Sequence, residues 1–238
     1  MLKLRVGFAA LALLGCTTLA KADTVTVCTP TGATDTSGET VAACATVTTG
    51  AGTVTVDLSN TLTATQVKSV GQNLSDLFFT LDTTTSAGSV SSSTGTFINV
   101  GTGGAVTPAT SDAPAPDLID WGLSNSGGTY HLNGLGGGVT PENTIIGGTA
   151  GSFTAYSNAN ASIDGNGPHN PFVLGTGDFV LSIAGVTAGT DISDIVFSFG
   201  TTPGDNVPTT VPEPSSLLLL GMGLMGAVSA GRRKLVKA

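Results

Sequence analysis

"DFVLSIAGVTAGTDISDIVFSFG", residues 178–200, decides the fold. Phe179, Leu181 and Ile183 occupy every second position, and after an interval of Gly, Thr and Ala so do Ile195, Phe197 and Phe199. Successive side chains of an extended backbone point to opposite sides, so each trio lines one face of a strand and predicts one buried face. Outward from there the same period recurs in "GTVTVDL", where Val54, Val56 and Leu58 alternate with Thr and Asp. Weaker runs of the same kind lie at 24–28, 41–48, 74–81, 89–100, 119–124, 129–132 and 145–156. Only residues 65–77 suggest a short helix. Many short strands separated by Gly, Asn, Asp and Pro turns predict an all-β ectodomain, a single β-sandwich or jelly-roll-like unit.

Both ends of the chain read differently from this interior. Lys3 and Arg5 precede an apolar run from Val6 to Leu19, and Ala20-Lys21-Ala22 follows it, which is the plan of a secretory signal peptide with its cut after Ala22. Leu13-Leu14-Gly15-Cys16 offers an alternative, a lipoprotein box that would leave Cys16 at the new N-terminus. At the other end, residues 215–231 are 17 positions without a charge, long enough as a helix to span about 26 Å. Arg232, Arg233, Lys234 and Lys237 follow, so the positive-inside tendency keeps this end cytoplasmic and the bulk of the chain outside. Pro212 and Pro214 hold the approach to that helix extended, presenting a stiff peptide just above the membrane.

In that order and spacing, Pro212-Glu213-Pro214, the apolar helix and the basic stop Arg232-Arg233-Lys234 resemble the PEP-CTERM sorting signal of Gram-negative bacteria. The resemblance implies export, transient anchoring in the inner membrane, processing by an exosortase, and delivery to the cell surface or the exopolysaccharide matrix. It covers the last 28 residues, 211–238, and leaves 1–22 as signal peptide, 23–200 as ectodomain and 201–210 as a flexible stalk. Residues 170–201 are also similar to the terminal hairpin of ectodomains that precede such signals, with a Phe-containing strand, a Gly-Val-Thr turn and a strand ending Phe-Gly-Thr.

Charge narrows the function. Between Asp23 and Val211 stand 15 acidic residues and one basic residue, Lys68, a net of −14. Nucleic acid needs Lys and Arg to displace phosphate counterions, so it is excluded as a partner, and anionic lipids and polysaccharides are disfavoured for the same reason. Neutral sugar, a divalent cation or a protein partner stay open, as does an acidic face that only keeps the protein dispersed.

Chemistry is sparse in the sequence. His131 and His169 sit in Gly- or Asn-rich stretches without a second ligand at metal spacing, and no nucleophile elbow, phosphate loop or zinc-protease motif occurs. Asp164 and Asn166 alternate as in a calcium loop, but the residues that follow do not continue the pattern, leaving a loose cation site or an Asx-rich turn as alternatives. No catalytic residue, metal ligand or cofactor is assigned. The expected role is a non-catalytic structural or interaction component. The alternatives are a carbohydrate-binding module stacking sugar on Trp121, Tyr130 or Tyr156, and a glycan hydrolase built on a carboxylate pair.

Once the signal peptide is removed, Cys28 and Cys44 are the cysteines left, and in an exported chain they have one possible pairing. Pro30, Gly32 and Gly38 favour turns between them, which predicts a disulfide stapling an N-terminal hairpin.

Overall fold

A computed structural model describes residues 22–82, 87–110, 119–135, 142–149, 151–202 and 204–208. Of the segment read as a signal peptide only Ala22 is among them, and the segment read as a C-terminal sorting signal, Pro212, Glu213, Pro214, Arg232, Arg233 and Lys234 included, lies outside these residues. Among the described residues the fold is all-β, with three short 3-10 turns and no helix long and apolar enough to cross a membrane.

Twelve strands form one hydrogen-bonded network. They are β1 (Thr24–Cys28), β2 (Ala43–Gly50), β3 (Thr53–Asn60), β4 (Leu74–Leu81), β5 (Gly88–Val100), β6 (Val106–Pro108), β7 (Gly122–Ser126), β8 (Thr129–Asn133), β9 (Ile145–Ile146), β10 (Phe172–Ile183), β11 (Ile192–Phe199) and β12 (Asn206–Pro208). One arm runs β1-β2-β3-β10-β5-β6 and the other β7-β8-β4-β11-β12. The two-residue β9 joins them, parallel to β10 and antiparallel to β4.

The period-two trios meet across this joint. Val54, Val56, Leu58, Phe179, Leu181 and Ile183 of one arm share a single buried cluster with Leu77, Phe79, Leu132, Ile195, Phe197 and Phe199 of the other. Trp121 from the second arm tilts against Phe179 of the first, ring centroids 5.1 Å apart. A smaller core lies on the other face of the first arm, where Phe172 and Leu174 of β10 meet Leu62, Val67, Tyr156 and Ile163 from two loops. Burial pushes the Tyr156 hydroxyl above the usual phenol range, and it donates to the Gly147 carbonyl at 2.8 Å. The first half of β10 is thus buried on both faces and the second half on one.

Three expectations are corrected. Residues 170–201 do not form a hairpin: β10 has both edges taken, by β3 and β5, while β11 pairs with β4 and β12 in the other arm. The interval between them is therefore a crossing between arms. The expected helix over 65–77 is a turn, a 3-10 segment (Val70–Gln72) and the start of β4. There Gln72 is buried and turns its side chain back, accepting from the Lys68 and Ser69 N–H groups and donating to the Thr40 and Gln66 carbonyls, so local bonds replace a helical ladder. Within the stretch read as a stalk, Asn206–Pro208 forms β12 on β11.

Candidate functional site

The described chain leaves toward its C-terminal signal from a root where three loops converge. The first is the β1–β2 loop. Cys28 and Cys44 are direct partners in the β1–β2 register and are disulfide-bonded, Cα atoms 4.0 Å apart. They close a loop whose residues fold back through a Thr34–Thr40 bridge. Asp35, nine-tenths buried, shapes that turn: its carboxylate accepts from the Ser37 N–H at 3.0 Å, the Ser37 hydroxyl at 2.8 Å and the Glu39 N–H at 2.7 Å. This is the local bonding by which an Asp side chain fixes a turn.

The second loop is the 3-10 segment, with Ser69 donating to the Glu39 carboxylate. The third is the β11–β12 turn. Its Asp205 carboxylate accepts the Thr36 N–H at 3.1 Å and the Thr36 hydroxyl at 3.0 Å, tying the disulfide loop to the last turn before β12. Gly200 lies beside Gly71, where a Cβ would be in ordinary contact with the Gly71 Cα at 3.6 Å. Between the loops is a shallow hollow of about 360 Å³ lined by Asp35, Thr36, Ser37, Gly71 and Asp205 among others.

A second feature is the outward face of the first arm. The register aligns Thr26, Thr46, Asp57, Asp178 and Thr94 in one row across β1, β2, β3, β10 and β5, and Thr24, Thr48, Thr55, Val180 and Ser92 in the next. Neighbouring hydroxyls bond across strands, Thr24 to Thr48 at 3.0 Å and Thr26 to Thr46 at 3.1 Å. Asp57 and Asp178 stand directly opposite each other in mid-row. Asp178 titrates above the usual carboxylate range, first because of partial burial and second because of the Asp57 charge, against a weak bond from Thr94. This is a carboxylate pair, but it lies on an exposed sheet face.

The sequence-predicted residues are distributed as follows. Trp121, Tyr130 and Tyr156, offered as sugar-stacking platforms, are all buried at 3%, 0% and 1% exposure, so none presents a ring to a ligand. The Trp121 indole N–H donates to the Asn143 carbonyl at 3.0 Å. Asp164 commits its carboxylate to the Gly103 and Gly104 N–H groups, while the Asn166 amide donates to the Ser162 carbonyl, so the two serve loop packing. His169 contacts that same carbonyl through Nδ1 at 2.8 Å. His131 has no second ligand at metal spacing in the sequence, yet it has an acidic partner in the fold. It lies on β8, stacked on Phe78 at 3.9 Å and bonded through Nε2 to the buried Asp76 at 3.0 Å. Sequence reasoning missed that pair because the partners are 55 positions apart, as it missed Thr36–Asp205 across 169.

The family model of the PEP-CTERM protein-sorting motif matches residues 210–234, beginning two positions after β12. No curated protein and no solved structure matches the chain. The chain therefore carries the sorting signal of an exported exosortase substrate.

Proposed function

We propose that the chain is a cell-surface or exopolysaccharide-matrix protein whose β-sandwich domain has a non-catalytic structural or interaction role. In this reading signal peptidase removes residues 1–22, the C-terminal helix holds the protein briefly in the inner membrane, and an exosortase cuts near Pro212–Glu213–Pro214. The observation that carries it is the sorting motif at 210–234, directly behind an all-β domain. The hydroxyl-lined face of the first arm and the net charge of −14 before the motif suit a protein kept dispersed until a surface or matrix partner is met. Two measurements test it. Replacing Pro212, Glu213 and Pro214 by Ala is expected to leave the protein in the inner-membrane fraction while the wild type leaves it. Purified ectodomain is expected to show no turnover on esters, peptides and glycans; hydrolysis abolished by Asp57→Asn or Asp178→Asn would replace this reading by the glycosidase one.

A further inference from the structure

The root of the signal is both folded and close to the motif, and the two facts conflict with proteolysis. β12 is an edge strand of three residues, with Val196 opposite Pro208, Phe197 opposite Val207 and Ser198 opposite Asn206. The Phe199 N–H donates to the Asp205 carbonyl at 3.1 Å. Val207 is 8% exposed and belongs to the main core cluster. Asp205 is held from the side by Thr36 of the disulfide-closed loop. Pro212 lies four positions after Pro208, a reach of about 14 Å when fully extended.

An enzyme that takes its substrate as an extended strand bonds main-chain groups on both sides of the scissile bond. For a cut near 212–214, residues 206–208 lie four to six positions upstream of Pro212, and their main chain is engaged by β11. We infer that β12 and the Asp205–Thr36 clamp form a latch, and that the form competent for cleavage is the one in which β12 has left β11. Release to Phe199 lengthens the approach to Pro212 to 13 positions, about 45 Å when fully extended. The apparent affinity of the enzyme for the chain then scales with the released fraction. A three-residue edge strand held by its pairing to β11, by Val207 and by the Asp205–Thr36 clamp is the kind of element that opens locally without global unfolding. The inference rests on the sorting reading above.

The test follows processing of the full-length protein in an exosortase-bearing cell by pulse-labelling and intact mass. Ser198 and Asn206 are direct partners in the register, as Cys28 and Cys44 are. Ser198→Cys with Asn206→Cys is expected to lock β12 by a disulfide, verified by alkylation, and to slow processing at least about tenfold. Inserting a Gly-Ser linker of about six residues after Thr209 into the locked protein is expected to restore processing, which shows that the lock acts through reach and not through misfolding. Asp205→Ala is expected to speed processing about threefold by raising the released fraction. A locked protein cut at the wild-type rate, or a locked protein that the linker fails to rescue, overturns the latch. A wild-type protein that is never cut overturns the sorting reading instead.

Discussion

Asp57 and Asp178 show how much of this molecule is decided by single residues placed opposite one another. Partial burial first, and the Asp57 carboxylate facing it across β3 and β10 second, push Asp178 above the ordinary carboxylate range. A carboxyl whose value is raised on folding contributes stability that is fully present below the unfolded value and lost as the pH rises through the folded one. At neutral pH the pair therefore costs stability. Asp178→Asn is expected to raise the unfolding free energy at pH 7, measured by urea denaturation, by about a few tenths of a kcal/mol, the advantage shrinking toward pH 4. An unchanged advantage at both pH values would show that the charge on Asp178 is not its cause. Gly134 is decided by space: a Cβ there would lie 2.6 Å from the Trp121 indole and 2.8 Å from the Ser75 carbonyl. Gly134→Ala is expected to cost about 1–3 kcal/mol in chemical denaturation, because the buried indole has nowhere to move. Neither effect was legible in the sequence, where the partners lie 121 and 13 positions apart.

The period of two was legible where one face is wet, as in the second half of β10. β1 and β4 have the bounds read from the sequence, and Phe179, Leu181 and Ile183 face the core as their period required. In β11 the period breaks at a bulge. Asp194 takes a left-handed φ of 51°, the register slips between Ser193 and Val196, and Ile192 joins Ile195, Phe197 and Phe199 on the buried side. The pairing of strands was not legible, because alternation fixes a face and says nothing of the neighbour. That is why β10 and β11, adjacent in sequence, fall in different arms. β6 and β12, three residues each, are too short to show a period. The β1–β2 pair was legible through its cysteines. Its disulfide joins an exposed Cys28 to a half-buried Cys44, away from the core face of Val27, Ala43 and Ala45, so little packing depends on the sulfur atoms. Its effect is then on the unfolded chain, and replacing both cysteines by Ser is expected to lower stability by about 3 kcal/mol, measured by urea unfolding. A loss well under 1 kcal/mol would mean that the loop keeps its shape without the bond.

For the whole molecule, function was most legible at the end the described structure does not reach. The motif at 210–234 needs no fold to be read, since its parts are a peptide, an apolar span and a basic stop in fixed order. The domain in front of it supplies what the motif does not show: a two-armed β-framework, a hydroxyl-lined outer face, and a root that holds the signal within four positions of folded structure. The clamp at that root was hidden from the sequence because it joins Thr36 to Asp205, ends of the chain that only the two-armed sheet brings together. The central claim is that this chain is cut and released. Intact mass of the protein recovered outside the inner membrane tests it most directly. The account predicts a species that begins at Asp23, carries the Cys28–Cys44 bond and lacks Arg232, Arg233 and Lys234. A full C-terminus ending in Ala238, found only in the membrane fraction, would contradict it.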